Sequence, residues 1–75
     1  MEELIKQLTQ IRRGVDYENC TDLFTGGYLK SLDVIQIIAM LDEEYDVVVP
    51  PSQILPDNFN SAKAIYAMIQ RLQEE

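Results

Sequence analysis

The hydroxyl of Ser31 is the group in this sequence best placed to do chemistry, because it follows the loop residues Gly26-Gly27-Tyr28-Leu29-Lys30 and opens an uninterrupted helical pattern. A serine there has two readings. Its oxygen can cap the helix by accepting a backbone N–H, which alone would explain the residue. Alternatively it stands exposed beside unpaired first-turn amides, which favour an attached phosphate. Position alone leaves both open. The other candidates are weaker. Cys20, the lone cysteine, sits in an Asn-Cys-Thr-Asp context and reads as a packed or loop-exposed thiol rather than a nucleophile. Gly26-Gly27 lacks the flanking glycines and the lysine-serine pair of a phosphate loop and reads as a turn. Asp42, Glu43, Glu44 and Asp46 lack calcium-loop spacing and read as a solvated acidic face. No metal site is expected.

What is missing excludes more than what is present suggests. With no histidine, the chain has no imidazole base near neutral pH, no Ser-His-Asp or Cys-His arrangement and no nitrogen ligand for zinc. An autonomous enzyme is not expected. Six basic against 13 acidic residues give a net charge of −7, which repels nucleic acid and anionic lipid headgroups. The 75 residues leave room for one domain, spanning 1–75, without a roomy cleft, and 47% apolar with 25% charged residues is ordinary globular usage. A single cysteine closes no intramolecular disulfide, so a cytoplasmic setting is expected. The start Met1-Glu2-Glu3 does not resemble a secretory signal, and the longest apolar run, Ile37 to Leu41, is far short of the roughly 20 residues that span a bilayer. A soluble monomer with no membrane insertion is expected.

The elements that must position Ser31 follow from periodicity. Leu4, Ile5, Leu8, Ile11 and Val15 recur at helical steps, with Glu2 and Glu3 in the first turn, Arg12 and Arg13 in the last, and Gly14 as the stop. From Gly14 to Lys30 neither period persists, which makes a long first loop with Leu23 and Phe24 as anchors. Leu32 to Tyr45 contains no glycine or proline and forms the central helix, with Ser31 as its N-cap. Val47-Val48-Val49 is an extended connector, and Pro50 and Pro51 permit one short turn through Ser52 to Leu55 that Pro56 closes. Asn60 or Ser61 caps the last helix, whose apolar side is Ala62, Ile65, Ile69 and Leu72. The predicted fold is all-α, a small four-helix bundle of three longer helices plus one short helix.

The central helix carries two apolar stripes. At about 100° per residue, Val34, Ile37, Ile38, Leu41 and Tyr45 share the core sector, while Leu32, Ile35 and Ala39 fall roughly opposite and Asp42, Glu43 and Asp46 extend that second sector. An exposed apolar strip edged with carboxylates is a docking surface for basic partners. The plainer alternative is that tight packing hides Leu32 or Ile35.

The string Gly27-Tyr28-Leu29-Lys30-Ser31-Leu32-Asp33-Val34-Ile35, followed by Leu41-Asp42-Glu43-Glu44-Tyr45-Asp46 and Val49-Pro50, closely resembles the phosphopantetheine attachment region of acyl carrier proteins. Pro56-Asp57-Asn58-Phe59-Asn60-Ser61 is similar to the segment before the last helix in stand-alone carriers of the D-alanyl carrier group. The resemblance covers nearly the whole chain. It implies that Ser31 accepts a 4′-phosphopantetheine arm from a separate phosphopantetheinyl transferase, and that the arm's thiol holds acyl or aminoacyl cargo as a thioester. It implies an adenylate-forming ligase and a downstream transferase or synthase as partners, meeting Leu32, Ile35, Ala39, Asp42 and Glu43. Val49, Ile54 and Phe59 are candidates to line a cleft for the cargo, and ordinary core packing accounts for them equally well. One residue departs from the pattern: Lys30 stands where the family usually has aspartate. A cation there opposes the helix dipole by about 0.3 to 1 kcal/mol, yet it can pair with a phosphodiester on Ser31. The rival function is an acidic helical interaction module that carries no arm.

Overall fold

The computed structural model describes residues 1–74, and among them every regular element is helical. Helix α1 spans Glu2–Ile11, α2 spans Ser31–Tyr45 and α3 spans Ala62–Gln73. Between α2 and α3 the chain makes two single turns of 3-10 helix, Pro51–Gln53 and Pro56–Asn58. These replace the one short helix expected there. Each begins on a proline, whose fixed φ suits a first helical position, so Pro56 opens a second turn instead of closing the first.

The core is where the three apolar faces meet. Leu4 and Leu8 of α1, Val34, Ile37 and Leu41 of α2, and Ala62, Ile65, Met68 and Ile69 of α3 are buried together. Leu72 is only partly buried, and Met68 takes a place on the buried side that the spacing of α3 had not assigned to it. Val47 and Val49 are buried while Val48 faces solvent, as an extended connector requires when alternate side chains point to opposite sides.

Helix α1 ends at Ile11, earlier than its periodicity implies. Arg12 is already extended, at φ −139° and ψ 112°, so neither arginine lies in the last turn and Val15 belongs to the loop. Beyond this end the Arg12 side chain turns to α2 and binds Asp33, and Gly14 follows at φ 79°.

The loop from Gly14 to Lys30 is pinned at several points. The buried Tyr17 hydroxyl lies within hydrogen-bonding distance of the Leu8 and Arg12 carbonyls, which ties the loop to the end of α1. Leu23 and Leu29 are buried and Phe24 partly so. At the far side, Leu23 N–H donates to the Asn60 carbonyl at 2.8 Å, and the Asn60 side-chain oxygen accepts from Phe24 N–H and Thr25 N–H, each at 3.0 Å. Asn60 is therefore a clamp on the loop, and Ser61 alone caps α3, accepting from Ala64 N–H at 2.9 Å.

Candidate functional site

Ser31 is the first residue of α2, and the N-cap is Lys30 instead of the expected Ser31. The reason is the carboxylate two positions further on. Asp33 Oδ2 reaches back to accept Lys30 N–H at 2.9 Å, so an aspartate satisfies the amide at the helix start and the serine hydroxyl is not spent on capping. Ser31 is exposed. The first intrahelical bond runs from Val34 N–H to the Lys30 carbonyl at 3.0 Å, which leaves the N–H groups of Ser31, Leu32 and Asp33 without an intrahelical acceptor. Such a terminus attracts an anion.

The same Asp33 oxygen holds Arg12, accepting from Nε at 3.0 Å and Nη2 at 2.8 Å. One oxygen therefore joins the end of α1, the residue before the serine and the first turn of α2. Burial alone would raise the Asp33 pKa, but the Lys30 N–H and the Arg12 guanidinium outweigh it, and the carboxyl is held below its ordinary value. Tyr17, packed against this ion pair, has its pKa raised chiefly by burial and then by the Asp33 carboxylate, so its hydroxyl stays protonated as a donor.

Beside Ser31 lies an apolar groove of about 210 Å³, lined by Phe24, Ser31, Val34, Ile35, Ile38 and Ile54. A smaller hollow of about 50 Å³ adjoins it, sharing Phe24, Val34 and Ile54 and adding Leu55, Pro56 and Phe59. Of the three cleft candidates, Ile54 and Phe59 line these hollows. Val49 does not: it is buried in the core.

The second stripe of α2 is open to solvent. Leu32 is 65% and Ile35 61% exposed, so packing by the other helices does not hide them. Ala39, Asp42 and Glu43 are exposed as well. Tyr28, Ile54 and Leu55 are further large exposed apolar residues, the first on the long loop and the other two between the 3-10 turns. Tyr28 and Leu55 carry no periodic signal because they lie outside any helix, whereas Ile54 is one of the cleft candidates. Cys20 is partly buried, and its thiol lies 3.1 Å from Asp22 Oδ1. The Asp22 backbone N–H favours its thiolate, but burial and the carboxylates of Asp22 and Asp16 outweigh that, and its pKa is raised, against a role as nucleophile. Among the described residues no three cysteine or acidic side chains converge on a common metal position, and no helix is long and apolar enough to cross a membrane.

No family model matches the chain. Curated relatives do. It is 35% identical over 54 residues to the D-alanyl carrier protein of Lactococcus lactis subsp. lactis (strain IL1403), covering 72% of this chain and 68% of that protein. The D-alanyl carrier protein of Lactobacillus delbrueckii subsp. bulgaricus (strain ATCC BAA-365 / Lb-18) is 27% identical over 78 residues, covering 97% of this chain and 98% of its own length. A third, from Lactococcus lactis subsp. cremoris (strain MG1363), is 32% identical over 73 residues, 97% of this chain and 87% of that protein. Identity sustained over that length, together with a helical bundle and a serine held outward at the start of its central helix, means that the chain belongs to the D-alanyl carrier protein family.

Proposed function

We propose that this protein is a cytoplasmic carrier that bears a 4′-phosphopantetheine arm on Ser31 and presents acyl or aminoacyl cargo to partner enzymes. The observation that carries this reading is the exposed Ser31 hydroxyl, unspent on capping, at the first residue of α2. The residues around it fit a phosphate-linked group. The unpaired first-turn amides face an anion favourably, Lys30 adds a cation, and an apolar groove lined by Phe24, Ile35 and Ile54 opens at the serine. When bound, the arm supplies a thiol that holds the cargo as a thioester.

The protein's own residues then have three tasks. Ser31 anchors the phosphodiester. Asp33 and Arg12 fix the turn on which Ser31 stands. Leu32, Ile35, Ala39, Asp42 and Glu43 form the face that a phosphopantetheinyl transferase, an adenylate-forming ligase and a downstream transferase or synthase meet in turn; the exposure of Leu32 and Ile35 supports that assignment. Tethering raises the cargo's effective concentration at each enzyme without a catalytic group on the carrier. The relatives' name makes D-alanine the first cargo to test.

Incubating the apo-protein with coenzyme A and a broad-range phosphopantetheinyl transferase is expected to add the mass of one phosphopantetheine, and Ser31→Ala is expected to abolish the gain. An unchanged mass, or a gain that persists in S31A, rejects the proposal. Partner binding that ignores Ser31 while depending on Asp42 and Glu43 would instead mark an interaction module without an arm.

A further inference from the structure

Three observations around the serine concern charge. First, the carboxylate nearest to Lys30 along the chain, Asp33, is already engaged. It is 5% exposed, and its Oδ2 takes the Lys30 backbone N–H and two nitrogens of Arg12. Second, the Lys30 ammonium is in no ion pair among the described residues, where Arg12–Asp33 is the only one. Third, the Lys30 side chain reaches back toward Gly27, where an added Cβ would sit 3.7 Å from Nζ, so the ammonium lies over the exposed loop that leads into Ser31. A cation without a salt-bridge partner among the described residues therefore precedes a helix N-terminus that it opposes, in a protein of net charge −7.

We propose that Lys30 is the counter-ion of the phosphodiester carried on Ser31, a proposal that rests on the function given above. Before modification the ammonium and the partial positive charge of the α2 terminus repel each other. Once a phosphate oxygen stands between them, both interactions become attractive, and the root of the arm gains an electrostatic seat made of Lys30 and the first-turn amides. Asp33 attracts the ammonium only from beyond salt-bridge distance, since its Oδ2 is bonded to Arg12 and to the Lys30 backbone N–H. Modification thus turns the start of α2 from a self-repelling arrangement into a self-neutralising one.

The test compares each protein with its own modified form, so that any folding effect of the substitution cancels. Apo and phosphopantetheinylated forms of the wild type, Lys30→Arg, Lys30→Gln and Lys30→Glu are melted at low salt and at 0.5 M NaCl, with the ³¹P resonance of the phosphodiester recorded in parallel. The wild type and K30R are expected to gain about 2 to 5 °C on modification at low salt, and to lose most of that gain at high salt. K30Q should gain less, and K30E should melt lower when modified than when apo. The ³¹P resonance should move between the wild type and K30Q. Modification that fails in K30Q and K30E but proceeds in K30R also supports a cation requirement at the phosphate. The same apo-to-modified difference in all four proteins, with an unmoved ³¹P resonance, overturns the assignment of Lys30 while leaving the carrier function intact. Failure of the wild type itself to gain phosphopantetheine removes the function and this inference with it.

Discussion

Asp33 is the residue on which the geometry at Ser31 depends, since one of its oxygens accepts from Lys30 N–H and from two nitrogens of Arg12. Because its pKa is lowered in the folded state, its contribution to stability is complete above the ordinary aspartate value of about 3.9 and is lost as pH falls through the lower folded value. Asp33→Asn is expected to destabilise the protein by about 1 to 2 kcal/mol at neutral pH. The cost falls below that of breaking a fully buried ion pair, because the Arg12 side chain is 43% exposed and can return to water. Urea denaturation from pH 7 to pH 2.5 checks this. The gap between wild type and D33N should close toward the acid end, and a gap that stays constant with pH would assign the loss to packing instead. Reading the sequence for hydroxyl caps alone could not reveal this arrangement. Ser31 is the more familiar cap residue, and the aspartate that satisfies the terminus draws on an arginine 21 positions earlier in the chain.

Among the elements, the helices were legible and the loop's fastenings were not. The three- and four-residue steps of Leu4, Leu8, Val34, Ile37, Leu41, Ile65 and Ile69 are local information, and each of these side chains is buried. Asn60 meets Phe24 and Thr25 across 36 and 35 positions, so no window of sequence contains the interaction. The same holds for the Arg12–Asp33 pair at the end of α1, whose partners stand 21 positions apart. The two turns at Pro51 and Pro56 were partly legible, since proline marks a turn's start but not how many turns follow. Asn60→Ala should leave the Phe24 and Thr25 amides without their acceptor and cost about 1 to 3 kcal/mol. Amide hydrogen exchange should accelerate at Phe24 and Thr25 well before it does in α2. Acceleration spread evenly over the chain would show that Asn60 supports the whole bundle and not the loop in particular.

For the molecule as a whole, the face that sequence rotation singled out is the one left uncovered. Three helices around one core can shield one stripe of α2 but not its opposite, and Leu32 and Ile35 remain in solvent accordingly. Leu32→Asp or Ile35→Asp should therefore change stability by no more than about 0.5 kcal/mol, as is usual for exposed positions. The same variants should reduce kcat/KM of a loading ligase for the modified carrier about tenfold or more. Ligase kinetics set beside thermal melts would separate the two effects, and a variant that unfolds without losing partner affinity would return this face to the core.

Helix α2 also acts as a ruler. Asp42 follows Ser31 by 11 positions, which at about 1.5 Å per residue sets the two some 16 Å apart along a rigid rod. The molecule's longest dimension is 32 Å, so an enzyme that grips the carboxylate end while receiving what hangs from the serine must straddle half the carrier's length. If Ser31 bears the proposed arm and Asp42 the proposed partner contact, the mouths of these enzymes' clefts open at a common offset from a basic handhold, and a graft that moved that handhold by one helical turn would deliver the load to a blank wall.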